Sequence, residues 1–99
     1  MAVLLNAVTT NTVGTGTATT TADSLIEVPN TSVFGPGCSV EIEASSVNTS
    51  GLYGPIDRIA VIRAPKSFTI RLPVGHFVRA VLRGATPTTN VTVNLLDIA

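Results

Sequence analysis

One stretch decides the fold class: Phe68-Thr69-Ile70-Arg71-Leu72, then Pro73-Val74-Gly75, then Phe77-Val78-Arg79-Ala80-Val81-Leu82-Arg83. Apolar residues alternate with others in both long runs, and the alternation returns in Asn90-Val91-Thr92-Val93-Asn94-Leu95. A period of two places every second side chain on one face of a β-strand, so these runs predict strands. Turn-forming Pro, Gly and Thr residues separate them. We therefore predict a β-meander of three consecutive antiparallel strands.

The rest of the chain repeats this pattern. Val40-Glu41-Ile42-Glu43-Ala44 predicts a strand whose glutamates face solvent, and Phe34-Gly35-Pro36-Gly37 predicts the turn before it. No segment shows the apolar stripe of an amphipathic helix. About seven to eight short strands at this spacing are typical of a sandwich or barrel. We predict an all-β fold, a single antiparallel β-sandwich or jelly-roll-like domain over residues 1–99.

The alternating residues also predict which side chains fill the space between two sheets. Stiff, β-branched Val and Ile suit such a pleated core. The predicted core residues are Val40, Ile42, Val61, Phe68, Ile70, Leu72, Val78, Ala80, Leu82, Val91, Val93 and Leu95.

Residues 1–22 have a different character. Val3 to Val8 is a plausible first strand, and the stretch from Thr9 to Ala22 is rich in threonine and uncharged. Such a stretch is a long loop, an exposed edge strand or an arm that becomes ordered on a partner. We favour partial order and expect residues 1–22 to form a strand or arm that makes contacts between subunits.

Charge is sparse and unevenly distributed. Only 12% of the residues are charged, against about 25% in ordinary domains, which favours a subunit of an assembly. The net charge is zero, so the sequence argues against nucleic acid and anionic membranes as partners. Most acidic residues precede most basic ones, which predicts pairs such as Glu41 or Glu43 with an arginine. These pairs form within the chain or, as the alternative, between subunits.

The residue types needed for catalysis are scarce. His76 and Cys38 are the single histidine and the single cysteine, so no disulfide can form within the chain and a zinc site lacks ligands. His76 lies in a predicted turn, and a lone cysteine is most often a buried apolar residue. We predict no catalytic, cofactor-binding or metal-binding residues, and therefore no enzyme.

The sequence also argues against a secretory signal and against a membrane-spanning segment. The first residues contain no basic group and too short an apolar run for a secretory signal. No run approaches the ~18 apolar residues that a membrane-spanning segment needs.

The candidates for a binding role are charged residues on the predicted strands. Arg79 and Arg83 share parity on one predicted strand, and Arg71 can face them from the neighbouring strand of the predicted hairpin. Such a row of arginines can bind carboxylates of another protein, or phosphates. Nucleic-acid recognition would add several aromatic rings to the same face, whereas this face offers Phe77 alone. The predicted protein-contact residues are Glu41, Glu43, Arg71, Arg79, Arg83 and Phe77.

The run from Ser67 to Ala80, with its Leu72-Pro73-Val74-Gly75 turn, resembles small β-sandwich virion proteins of tailed bacteriophages. The resemblance extends to the Val/Thr-rich final strand and covers about the C-terminal third of the chain. That family includes capsid decoration or cement proteins. The resemblance implies a homo-oligomer, a trimer or dimer, that binds assembled major capsid protein and clamps neighbouring subunits.

Two functions are therefore expected, in this order. The first is a structural protein of the virion that is made in the host cytoplasm and stabilises the capsid as a decoration or cement protein. The alternative is a binding module of the tail, collar or spike that recognises a receptor or a carbohydrate. Sugars usually stack on aromatic rings, and the chain offers only Phe34, Tyr53, Phe68 and Phe77 for this purpose.

Overall fold

The structure is a computed structural model and describes residues 2–49, 52–55 and 61–98. These residues form two antiparallel sheets packed together and contain no α-helix, which confirms the predicted all-β sandwich. The strands are β1 (Ala2–Val8), β2 (Thr12–Val13), β3 (Thr17–Ala18), β4 (Asp23–Val28), β5 (Ser39–Ser45), β6 (Gly54–Pro55), β7 (Val61–Ile62), β8 (Lys66–Arg71), β9 (Phe77–Arg83) and β10 (Val91–Asp97).

One layer is a four-stranded sheet in the order β1-β10-β4-β8. The other layer is a six-stranded sheet with β9 and β5 at its centre. The two-residue strands β2 and β3 pair with β9, and the two-residue strands β6 and β7 pair with β5. Within the described residues there is no helix with the length and apolar character needed to cross a membrane.

The predicted meander is wrong. β8 and β10 lie in the four-stranded sheet, whereas β9 lies in the six-stranded sheet, so the chain crosses the sandwich at both turns. The error does not change which residues are buried. Alternation predicts that Ile70 and Val78 face the core both when their strands are neighbours in one sheet and when they lie in two stacked sheets. The first turn is held by Thr19, whose Oγ1 donates to the Pro73 carbonyl at 3.1 Å while its N–H donates to the His76 carbonyl.

The core lies between the two sheets, mostly where alternation predicted it. Nine of the predicted core residues are buried, and Phe68 and Leu72 are partly buried against them. Val61 is the error: it is exposed, and its neighbour Ile62 is buried instead. The buried core also includes residues outside the prediction, namely Leu4, Leu5, Ile26, Val28, Phe34, Cys38 and Ile62.

Residues 2–22 pack against the rest of the same chain. β1 pairs with β10, and Leu4 and Leu5 are both buried because the register shifts between Val3 and Leu5. Such a bulge lets two consecutive side chains face the core. Gly14 then joins the two layers, because its N–H donates to the Ala80 carbonyl at 2.8 Å beside the Leu4 carbonyl.

The predicted turn before β5 is present. Gly35 and Gly37 have φ values of 80° and 74°, a backbone region that glycine adopts without steric cost. The Cys38 N–H donates to the Gly35 carbonyl and closes the turn. The apolar residues Ile56, Ile59, Val61 and Ile62 predict a bulge or burial on both faces, and most of this segment, residues 56–60, lies outside the described residues.

Candidate protein-contact face

Five of the six predicted contact residues lie on the outer face of the six-stranded sheet, which we call the charged face. Arg79 and Arg83 project from β9, and Phe77 shares their parity. Glu41 and Glu43 project from β5, which pairs with β9 over its whole length. They point outward because Val40 and Ile42, and on β9 Val78, Ala80 and Leu82, fill the core.

The most buried ion pair of the described residues lies at the centre of this face. Arg79 Nε donates to Glu43 Oε1 at 2.7 Å, and the side chains are only 12% and 10% exposed. The two residues sit directly opposite each other in the β5–β9 ladder, where cross-strand side chains meet. Both charges are thus largely engaged inside the chain, which makes this pair part of the scaffold of the face.

Tyr53 covers the Arg79 guanidinium. The Arg79 Cζ lies 4.2 Å from the Tyr53 ring centroid, a cation–π geometry. The Tyr53 hydroxyl donates to Asn48 Oδ1 at 2.8 Å, and Gly16 packs against that hydroxyl. Burial raises the pKa of Tyr53, and the Arg79 charge offsets part of that rise. The sequence analysis missed this role because Tyr53 lies in an irregular loop, where no periodicity assigns it a face.

The second ion pair on the charged face is much more open. Arg83 Nε lies 3.4 Å from Glu41 Oε2, and the side chains are 60% and 28% exposed. Two valines flank the pair: Val61 lies opposite Glu41 and is 47% exposed, and Val13 on β2 is 60% exposed. We call these four residues, Val13, Glu41, Val61 and Arg83, the contact patch.

Arg71 does not join this face, which corrects the expectation that it lies beside Arg79 and Arg83. It belongs to β8, and β8 lies in the other sheet. Its Nε donates to Asp23 Oδ1 at 2.8 Å and its Nη2 lies 3.3 Å from Asp23 Oδ2, while its side chain is 78% exposed. This hydrogen-bonded pair lowers the pKa of Asp23 and raises that of Arg71.

The three ion pairs explain the uneven charge distribution along the chain. Each joins an acidic residue of the first half to an arginine of the second half, within one chain. For Asp23, Glu41 and Glu43 the intrachain alternative is therefore confirmed.

The aromatic rings are poorly placed for stacking on a sugar. Phe34 is buried, Phe68 and Phe77 are partly buried, and Tyr53 has one face on Arg79. A carbohydrate site usually needs an open ring. None of these four rings is fully exposed, although they are all the aromatic rings in the chain.

The groups considered for catalysis are far apart. Cys38 is buried just before β5, beside the Arg83 end of the β5–β9 ladder, whereas His76 precedes β9 at the opposite end. A ladder of this length spans about 20 Å at roughly 3.4 Å per residue, so the two side chains cannot form a dyad. In the described part of the chain, no three His, Cys, Asp or Glu side chains form a group that could hold a metal ion.

A groove with a volume of about 520 Å³ lies at one end of the sandwich. Threonine, asparagine, alanine and proline line it: Thr9, Thr10, Asn11, Ala85, Thr86 and Pro87. It contains no titratable side chain, so it offers hydrogen bonds but no acid–base chemistry.

No family model matches the chain, and no curated protein or solved structure matches it either.

Proposed function

We propose that this chain is a non-enzymatic structural protein of a bacteriophage virion that binds the assembled capsid as a decoration or cement protein. The observation that carries the proposal is the contact patch, an ion pair that lies between two exposed valines on the outer face of the sheet. The resemblance of the C-terminal third to phage virion sandwiches supplies the class of partner, the major capsid protein.

The composition of the contact patch suits protein binding. The buried core of a protein interface is more apolar than the rest of the surface, and arginine is enriched in interfaces whereas acidic residues are depleted. Here Glu41 is already neutralised by Arg83, so covering the patch would not strand a carboxylate. The pair would still offer hydrogen-bonding atoms to a partner, because more than half of the Arg83 side chain is exposed.

The buried part of the charged face gives the patch a rigid support. The Glu43–Arg79–Tyr53 stack lies on the same two central strands and restricts their outward side chains. Rigid surfaces lose less conformational entropy on binding than mobile ones. A rigid patch supports repeated docking onto a regular lattice, which is the task of a cement protein.

Virion location and homo-oligomerisation complete the proposal. Low charge, with 12% charged residues, suits a surface that is largely covered in an assembly. Residues 2–22 lie along the sandwich, so in this proposal they contact a neighbour as part of the folded body.

Co-sedimentation with capsids that lack the protein tests the proposal. Val13→Asp places a charge in the contact patch, and we expect it to abolish binding. Val74→Asp is the matched control, because Val74 is exposed to a similar extent, 62% against 60% for Val13, but lies in the turn before β9. The proposal fails if wild-type protein does not bind capsids, or if both variants bind as well as the wild type.

A further inference from the structure

β8 presents an edge with no partner strand among the described residues. It is the last strand of the four-stranded sheet and pairs on one side with β4, from Asp23 opposite Arg71 to Val28 opposite Lys66. The register runs through all six pairs without a shift, and the strand contains no proline. An edge that is straight, regular and free of proline is a template for another strand.

The backbone groups that point away from β4 can be assigned. The Leu72 N–H donates to the Ala22 carbonyl, so Leu72 belongs to the set of residues whose backbone bonds face β4. Antiparallel ladders alternate, so Ile70 and Phe68 also face β4. The N–H and C=O groups of Ser67, Thr69 and Arg71 therefore point outward, and their side chains are exposed on the outer face of the sheet.

The other sheet edges differ from this one. The β1 edge is irregular, because its register with β10 shifts twice and Ala7 has a positive φ of 49°, and Gly14 approaches the Leu4 carbonyl on it. The edges of the six-stranded sheet are formed by strands of two residues each, β2, β3, β6 and β7. Short or bulged edges are poor templates for another strand. β8 is therefore the longest regular edge that the described residues offer.

We propose that two copies of this chain form a two-fold symmetric dimer by antiparallel pairing of β8 with β8, with Thr69 opposite Thr69 of the second copy. This register also places Ser67 opposite Arg71 of the second copy, so every outward backbone group finds a partner. About six hydrogen bonds form, because each hydrogen-bonded pair exchanges two. Facing threonines are a favourable cross-strand pair.

The charges are compatible with this register. Arg71 lies opposite Ser67 of the second copy, so no like charges face each other across the dimer. The Arg71 guanidinium reaches toward β4 of its own chain, where its Nε donates to Asp23 Oδ1 at 2.8 Å. Asp23 thus neutralises the arginine at each end of the interface, and the two-fold axis repeats the arrangement.

The proposed dimer rests on the homo-oligomerisation of the proposed function and gives it a specific interface, and capsid binding is tested separately. Two-fold pairing is closed, so it ends at two copies and joins the four-stranded sheets into one continuous sheet. It leaves the charged face of each copy uncovered, because that face belongs to the other sheet. Its test uses the isolated full chain, so failure to bind capsids has no bearing on the result.

Site-specific oxidation tests the register. Thr69→Cys places two thiols on a pair whose Cα atoms lie about 5.5 Å apart, within the range of about 4.4–6.8 Å that a disulfide spans. Ser67→Cys is the control, because its copies are offset by four residues, about 13 Å along the strands. Cys38 is buried and does not compete.

We expect diamide to convert Thr69→Cys to a covalent dimer and to leave Ser67→Cys monomeric. Equal cross-linking of the two variants, or none in Thr69→Cys, would overturn the proposed register.

The oligomeric state tests the edge itself. Light scattering of the wild type should give the mass of a dimer, and a monomer or a trimer would contradict the proposal. Thr69→Pro removes one outward N–H without touching the β4 ladder and should weaken association by about tenfold or more. Thr69→Ala keeps that N–H and should remain dimeric. If Thr69→Pro does not fold, the comparison of Thr69→Cys with Ser67→Cys still tests the proposed dimer.

Discussion

At the scale of single residues, Arg79 and Arg83 show how burial changes the value of an ion pair. They project from the same face of β9, and each meets a glutamate of β5. Only Arg79 is enclosed, and Tyr53 closes the site above it. An enclosed carboxylate that loses its cation cannot regain full hydration. The same residue type, four positions apart on one strand, therefore serves structure in one case and presents charge in the other.

A pair of alanine variants measures this difference. Arg79→Ala leaves Glu43 buried without its arginine and removes the support of Tyr53, so we expect a loss of about 3 kcal/mol in the free energy of unfolding. Arg83→Ala exposes Glu41 to water and should cost under about 1 kcal/mol. Urea denaturation gives both values. Equal losses in the free energy of unfolding would show that the enclosure of Arg79 does not stabilise the protein.

Tyr53 provides a direct probe of the charged face, because it is the only tyrosine and the chain lacks tryptophan. Its pKa is raised above the ordinary value of 10.0, chiefly by burial. The absorbance of tyrosinate should therefore titrate at a higher pH in the folded protein than in urea. The raised pKa means that stability falls as pH rises through and above 10.0. Identical titrations in the two states would contradict the burial of Tyr53.

The Asp23–Arg71 pair predicts behaviour in acid. Its hydrogen bond lowers the pKa of Asp23 below 3.8, so the contribution of the pair is complete well above that pH. The contribution is lost as pH falls through the lowered pKa, because the unfolded chain takes up the proton first. We expect Asp23→Asn to differ in stability from the wild type at neutral pH and to converge with it in strong acid. A difference that stays constant down to pH ~2 would exclude this linkage.

At the scale of elements, two glycines allow segments to approach each other closely. A Cβ on Gly14 would lie 2.6 Å from the Leu4 carbonyl oxygen and 2.8 Å from that of Ala80, so the backbones of β1 and β9 would have to separate. A Cβ on Gly16 would meet the ends of the Tyr53 and Asn48 side chains, which can move. Backbone in a sheet yields less easily than a side chain.

The resulting prediction is a graded series. Gly14→Ala should destabilise by about 2–3 kcal/mol and Gly16→Ala by about 1 kcal/mol, whereas Gly54→Ala should be close to neutral. Gly54 is the control because a Cβ there would meet nothing within 4 Å. Urea midpoints rank the three variants. A tolerated Gly14→Ala would mean that β1 and β9 are not held together at that point.

Single elements were predictable because alternation is a local property. Val40 and Ile42 face the core and Glu41 and Glu43 face outward, as their order in the sequence indicates. Parity likewise brings Arg79 and Arg83 to one face of one strand. The same argument fails for Val61, because a strand of two residues is too short to show an alternating pattern.

At the scale of the whole molecule, the choice of partner strands was not predictable. The Pro73-Val74-Gly75 turn is compatible with a hairpin or with a crossing between layers, and only distant contacts such as Thr19 with Pro73 select the crossing. That choice removed Arg71 from the predicted row of arginines and gave it Asp23 as a partner. Tyr53 was missed for a related reason, since its position depends on the fold around it and not on its neighbours in sequence.

The pairing of β1 with β10 has a consequence for how the protein is made. The first strand pairs with a strand far along the sequence, with Ala2 opposite Leu95, so this layer cannot close until β10 has been synthesised. High contact order slows folding, and we expect refolding on a timescale of roughly milliseconds to seconds. Stopped-flow fluorescence of Tyr53 would measure it. A chain ending at residue 88 should stay unfolded, and its folding would show that the four-stranded layer forms without its closing strand.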